Sequence, residues 1–310
     1  MLNFYEVIKN SNAYKTVKTD IKSGKLSHAY LLLIPDKRFI KEYLTVFSKL
    51  ILGAEEDERI GELVDKNAYQ DMCVYPKNKD AVLVEDINSL IEESFYKPTE
   101  NKVKLFVISS AETMNAPSQN KLLKTLEEPP KNVVILLGAT SEFSLLQTIK
   151  SRTKKLELPL LSDEELFFAL KEDYKDKDLE TAISLCDKTL GGAVSILENE
   201  SVNNSIALAK EIVEKMSSSV QVLDYSVLTT ALKTGVKEFL PVLSWAFNEA
   251  LKKGEKTGEY PNGYKTASII NALEKITETQ KRLTFNVSEQ SLIEWLYLQI
   301  LEGRFKWQKL

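Results

Sequence analysis

Between residues 102 and 153 the apolar positions change rhythm three times. Residues 102–108 (KVKLFVI) and 133–137 are runs rich in β-branched residues with no polar alternation. Between them, Asn115-Ala116-Pro117 has the form of a helix start, with Asn as cap and Pro in the first turn. Residues 119–128 (QNKLLKTLEE) then place Leu122, Leu123 and Leu126 on one side, and Pro129-Pro130 ends the run. Strand, helix, strand, with wholly apolar strands, predicts a parallel sheet covered on both faces.

The remaining pattern extends this α/β reading. Residues 4–24 read as one helix, with Val7, Tyr14, Val17 and Ile21 near helical spacing and Gly24 as its stop. Residues 31–34 form a short buried strand, and 39–52 an amphipathic helix through Tyr43, Leu44, Phe47, Leu50 and Ile51. Residues 54–66 are charged and read as loop or short helix. Residues 71–75 are a strand candidate, and 82–91 lead into a helix. Residues 156–160 close the first domain. The capping box Ser162 to Glu165 opens a small helical domain with helices at 163–173 and 178–189. Gly191-Gly192 is read as ending the second of these, and 193–199 as a third helix. From about 203 apolar residues recur at helical spacing to the end: Ile206, Ala209, Val213, Met216; Leu240, Leu243, Phe247, Ala250; Ile269, Leu273, Ile276; Ile293, Leu296, Ile300. Breaks fall at 217–219, Gly235, 254–263 and Asn286, which predicts a bundle of five helices. The expected division is therefore 1–159, 160–201 and 202–310.

Composition changes this picture little. A chain of 310 residues has room for two or three domains. Its 43% hydrophobic and 28% charged content is that of an ordinary globular protein. A net charge of −4 gives no general basic field for nucleic acid. Cys73 and Cys186 stand far apart and no CxxC occurs, so no disulfide framework or zinc ribbon is expected, and a reduced, cytoplasmic compartment is. There is no signal-like N-terminal apolar region, and no stretch reaches the roughly 18 apolar residues of a membrane span. The lone histidine, His28, reads as a packing or hydrogen-bonding residue, and no metal is expected.

One stretch carries a specific resemblance. Residues 115–130 (NAPSQNKLLKTLEEPP), the apolar strand after them and the Ser151-Arg152 pair resemble the clamp-loader branch of the AAA+ family, in particular its delta-prime members from bacterial DNA polymerase III. The resemblance covers roughly residues 1 to 200 and weakens beyond. It implies an AAA+-like parallel-sheet domain, a small helical lid domain and a C-terminal all-α collar that holds subunits in a ring.

Against that family pattern, the nucleotide contacts are missing. A phosphate loop has the form GxxxxGK[ST]: glycines let backbone N–H groups wrap phosphates, Lys neutralises charge and Ser/Thr holds Mg²⁺. Here the strand is followed by Ile34-Pro35-Asp36-Lys37-Arg38-Phe39-Ile40-Lys41, without a glycine from Gly24 to Gly53. Ile40 stands for the lysine and Lys41 for the hydroxyl residue. The family's Asp-Glu pair after the central strand is Ser109-Ser110, which lacks the charge to hold Mg²⁺ and the basicity to activate water. Thr140 or Ser141 takes the sensor-1 place and is read as a strand-end cap. The sensor-2 helix begins Gly192-Ala193-Val194-Ser195, with no Arg or Lys. The four-cysteine zinc module of many relatives is absent.

What remains is Ser151-Arg152, with Thr153 where the family has Cys. The resemblance implies that Arg152 reaches the ATP site of a neighbouring subunit, where a guanidinium fork stabilises the transferring phosphoryl group. The alternative for Arg152 is a solvated surface arginine beside Lys150, Lys154 and Lys155. The reading favoured is a subunit of the DNA polymerase III holoenzyme without intrinsic ATPase and without cofactor. Its implied partners are gamma/tau-type ATPase subunits and a delta subunit in a hetero-pentamer, with the sliding clamp and primer-template DNA reached through the complex. The alternatives are an ATPase with an atypical loop using Lys37 or Lys41, the clamp-opening delta subunit, and an unrelated helical scaffold. Retention of Ser-Arg disfavours delta.

Overall fold

The computed structural model describes residues 2–77, 81–283 and 288–308. It divides into two compact units, residues 1–194 and 195–310.

The first unit begins with helices Leu2–Asn10 (α1) and Asn12–Lys22 (α2), followed by strand Ala29–Leu33 (β1) and helices Ile40–Ile51 (α3) and Glu58–Asp65 (α4). Strand Met72–Tyr75 (β2), helix Val84–Ser94 (α5), strand Lys104–Ile108 (β3), helix Ala116–Glu127 (α6), strand Val133–Ala139 (β4), the single turn Gln147–Lys150 (α7) and strand Lys154–Glu157 (β5) complete the α/β part. Helices Asp163–Leu170 (α8), Leu179–Leu185 (α9) and Leu190–Glu198 (α10) follow, and the boundary between the units falls inside α10.

All five strands are parallel, in the order β2-β3-β4-β1-β5. The central strands β1, β3 and β4 are buried on both faces, which is why their sequences are apolar without alternation beyond Lys104, the first residue of β3, whose ammonium group is satisfied by Glu93. Ala29, Leu31, Phe106, Ile108, Ile135 and Leu137 face one side, where Ile87 and Leu90 of α5 and Leu122 and Leu126 of α6 join the same core. On the other side α3 lies against β3 and β4. The approach is tight at Gly138, where a Cβ would meet Leu44 Cδ1 at 2.7 Å.

Several boundaries differ from the sequence expectation, each for a local reason. The helix expected over 4–24 is two helices, because Ser11 leaves the helix and caps α2, its Oγ accepting the Tyr14 N–H at 3.2 Å. The charged 54–66 segment, by contrast, forms a short helix, one of its two expected readings: α4, capped by Asp57. α9 ends at Leu185, ahead of the expected 189, and Gly191-Gly192 does not terminate it; both glycines lie in the first turn of α10. β5 (KKLE) is not expected as a strand, since three of its four residues are charged; it lies at the sheet edge, where exposure alternates along it.

The second unit contains helices Glu200–Lys215 (α11), Ser219–Thr230 (α12), Val236–Thr257 (α13), Thr266–Arg282 (α14) and Glu289–Gln308 (α15). Phe239, Leu243, Phe247, Ile269, Ile276, Leu296 and Ile300 form its core. Gly235 at φ +80° starts α13 and Gly258 at φ +76° ends it. Gly254 is inside this helix, where a Cβ would meet the Tyr260 ring at 2.0 Å. The expected break at Asn286 lies outside the described residues.

Candidate functional site

In an open parallel sheet the crevice for ligands lies beyond the C-terminal ends of the strands. At the end of β1 the chain turns through Ile34 to Phe39 into α3. No residue between Gly24 and Gly53 has positive φ, so the turn has none of the glycine geometry of a phosphate cradle. Its centre is Asp36, only 2% exposed. Asp36 Oδ1 accepts the N–H groups of Arg38 and Phe39, each at 3.1 Å. Asp36 Oδ2 accepts the Gly191 N–H at 2.8 Å. The carboxylate thus takes up donors at the start of α3, where a phosphate loop offers its N–H groups to a nucleotide, and ties them to the first turn of α10. Only glycine fits at 191: a Cβ there would meet Asp36 Oδ1 at 2.5 Å and Arg38 Cβ at 2.8 Å. Lys37, Arg38 and Lys41 are exposed.

The positions of the metal-binding pair follow the same trend. Ser109 is buried, and its hydroxyl donates to the Tyr75 carbonyl at the end of the adjacent strand β2, at 3.1 Å. Lys41 and Ser109 line one cavity of about 150 Å³, so the two positions that the sequence resemblance assigns to Mg²⁺ are neighbours here. One is cationic and the other neutral, the reverse of what a divalent cation requires. Glu112 Oε1 accepts from Thr140 Oγ1 at 2.9 Å, so Thr140 is engaged at the end of β4. Ser141 Oγ accepts the Phe143 N–H at 3.2 Å.

Arg152 follows α7 and is about one-third exposed at its side chain. One terminal nitrogen donates to the Thr148 carbonyl at 3.0 Å and to Ser151 Oγ at 3.4 Å. The other pairs with Glu127 Oε1 at 2.7 Å. Ser151 Oγ itself donates to the Thr148 carbonyl at 3.1 Å. Two of the nearby lysines are committed elsewhere: Lys154 to Asp20 at 2.6 Å, and Lys155 to Glu142 at 2.9 Å and Glu157 at 2.8 Å. Burial pushes the Asp20 carboxyl up, but hydrogen bonds from Lys154 and Tyr30 outweigh it and hold the group below its ordinary value.

Sequence reading singled out Arg152 and Ser151, and the structure places them together. The pattern along the chain does not reveal Glu127, the partner of Arg152, which reads only as part of a helix, or Asp36, which reads only as a loop residue. The signal for Glu127 was an acidic residue at a helix C-terminus, where the macrodipole disfavours it unless a cation answers. Among the described residues, no group of three or more His, Cys, Asp or Glu could hold a metal ion, and no helix is long and apolar enough to cross a membrane.

A family model described as DNA polymerase III, delta subunit, matches residues 9–162. The delta' subunit of DNA polymerase III from Bacillus subtilis is 25% identical over 313 residues, covering 93% of this chain and 95% of that protein. The gamma subunit from Buchnera aphidicola subsp. Schizaphis graminum is 24% identical over 215 residues, 64% of this chain. The chain spans about half the length of such gamma relatives: 58% of this one and 48% of its counterpart from the Acyrthosiphon pisum subspecies. Among solved structures, a DNA polymerase III gamma subunit-related protein from Thermotoga maritima aligns over 94% of this chain and 99% of that one, at 15% identity and a TM-score of 0.41. The family match over the sheet and the B. subtilis match over nearly the whole chain fall on one kind of protein: this chain belongs to the clamp-loader family of DNA polymerase III subunits.

Proposed function

We propose that this chain is a delta-prime-like, non-catalytic subunit of the clamp loader, which hydrolyses no ATP and works in trans through Arg152. The observation that carries this reading is Asp36. A carboxylate fixed by three N–H groups at the mouth of β1 sets a negative charge where a nucleotide would bring its phosphates, and like charges at that distance exclude one another. The serines at 109 and 110 support it from the metal side.

Exposed surface supports partners of this kind. On the sheet unit, Phe143 is 97% exposed in the loop that precedes Arg152, which supports a neighbouring subunit covering that face. In the helical unit, Val220, Leu223, Val227 and Leu228 leave an apolar stripe exposed along α12, as packing into a ring of subunits requires. In this reading residues 1–159 are the degenerate AAA+-like domain, 160–201 its lid and 202–310 the collar. ATPase subunits of the gamma/tau type and a delta subunit complete a hetero-pentamer that loads the sliding clamp on primed DNA in the cytoplasm.

The test is the ATPase rate of a reconstituted clamp loader with clamp and primed DNA, wild type against Arg152→Ala, with gel filtration to follow assembly. The expected result is an assembled complex whose stimulated rate falls about tenfold or more, a threshold set below the roughly 10³- to 10⁵-fold of a full arginine-finger effect because the other sites of the complex keep their own. Unchanged assembly and rate would remove the trans role. Saturable ATP binding by the isolated chain would instead favour an ATPase using Lys37 or Lys41.

A further inference from the structure

The Glu127–Arg152 pair joins two motifs that lie 25 residues apart in sequence. Glu127 is the last residue of α6, within the TLEEPP run. A negative side chain there adds to the negative end of the helix dipole and is locally unfavourable. Arg152 answers it. Its guanidinium sits across the C-terminal ends of two helices, bonded to the Glu127 carboxylate of α6 and to the Thr148 carbonyl of α7. Both terminal nitrogens are thereby engaged within the chain. Phosphate recognition by a guanidinium uses this same fork of N–H groups. Arg152 is therefore already occupied, by an anion of single charge on its own subunit.

Resting on the trans role of Arg152 proposed above, we propose that Glu127 is a positioning residue for it. Glu127 holds the guanidinium against α6 and α7 while no nucleotide faces it, and gives it up to the more highly charged phosphates of a neighbour's nucleotide. The pair suits an exchange of this kind. At 34% and 47% exposure its side chains are partly hydrated, and ion pairs so placed are weak. Release is therefore shallow, and the guanidinium stays in one place until a stronger anion arrives. The conformational cost of release falls on the neighbour's apparent nucleotide affinity, as for any site whose competent state is only fractionally populated.

Two measurements on Glu127→Gln test this. The first uses the isolated full-length chain and the guanidinium NMR signals of isotope-labelled arginine. The chain has five arginines, so the Arg152 signal is assigned by its loss in Arg152→Lys. Glu127→Gln is expected to shift that signal and narrow it as the head group gains freedom. An unchanged signal overturns the proposal whatever the ATPase does. The second is the stimulated ATPase of the reconstituted complex against ATP concentration, as a double-mutant cycle with Arg152→Ala. Glu127→Gln is expected to raise kcat/KM by about two- to five-fold, the size of a partly exposed ion pair, chiefly through KM. In the Arg152→Ala background the same substitution is expected to do nothing. A lower kcat/KM, or an equal effect in both backgrounds, overturns the positioning role. Arg152→Ala without effect on the rate overturns both this proposal and the trans role. That failure is distinguishable, because the NMR signal of Arg152 still responds to Glu127→Gln.

Discussion

Replacing Asp36 by alanine removes the carboxylate at the centre of the loop after β1. Three backbone N–H groups lose their acceptor: those of Arg38, Phe39 and Gly191. Arg38 is exposed and its N–H can turn to water, whereas Phe39 and Gly191 are buried. A hydrogen bond to a charged acceptor contributes about 1.5–3 kcal/mol, and a buried donor left without one retains its desolvation cost. Two such donors, less the relief of no longer burying a carboxylate, place the loss at about 3 kcal/mol. Asp36→Asn keeps one acceptor oxygen, and its loss is about half of that. The assay is amide hydrogen exchange on the full chain, followed in peptides covering the first turns of α3 and α10. A local loss of about 3 kcal/mol corresponds to roughly a hundredfold faster exchange wherever exchange proceeds through local opening. The peptides of α14 and α15, in the other unit, serve as the control and are expected to stay unchanged. Protection at Phe39 and Gly191 within about twofold of wild type would refute the reasoning, since it would mean that the three bonds hold neither helix start in place.

Two further substitutions test other parts of the fold. Thr229 and Tyr297 share a 2.6 Å hydrogen bond at full burial, and burial pushes the Tyr297 hydroxyl pKa up. Thr229→Val orphans that hydroxyl and is expected to destabilise the helical unit by about 1–3 kcal/mol, whereas the double variant with Tyr297→Phe regains part of the loss. Tryptophan fluorescence in urea reads this unit selectively, because Trp245, Trp295 and Trp307 all lie beyond residue 194; equal midpoints for wild type and Thr229→Val would contradict it. Asp71 accepts N–H groups from Thr99, Glu100 and Asn101 at 2.6, 2.8 and 2.7 Å. Burial pushes its pKa up, but these bonds outweigh it and hold the carboxyl below its ordinary value. A depressed folded pKa adds stability that is complete above the unfolded pKa and is lost as pH falls through the folded one. The stability gap between wild type and Asp71→Asn is therefore expected to be constant from about pH 5 upward and to close in more acid solution. A gap that widens toward low pH in circular-dichroism unfolding curves would show the sign to be wrong.

The sequence by itself determined the elements whose pattern is dictated by burial. Strands β1, β3 and β4 are buried on both faces, so apart from Lys104 at the start of β3, which pairs with Glu93, their residues are apolar in an unbroken run, and that is visible in one dimension. The helices of the second unit bury one stripe each, and Leu240, Leu243 and Phe247 or Ile293, Leu296 and Ile300 announce it by spacing alone. The absence of glycines after β1 and of carboxylates at 109 and 110 is likewise a statement about residue types, which needs no coordinates. Tertiary structure decided everything that depends on distant residues meeting. β5 exists only because β1 offers its edge to Lys154–Glu157, a segment too charged to declare itself. Gly191 looked like a helix stop and is a helix start, because the Asp36 carboxylate, 155 residues away in sequence, requires its N–H and leaves no room for a Cβ. Glu127 and Arg152 each belong to a recognisable motif, yet only the packing of α6 beside α7 makes them an ion pair. Local propensity and burial act on near neighbours and are written along the chain. Closing a loop with a carboxylate, or pairing an arginine with a carboxylate at a helix end, depends on hydrogen bonds between segments whose proximity the fold alone creates.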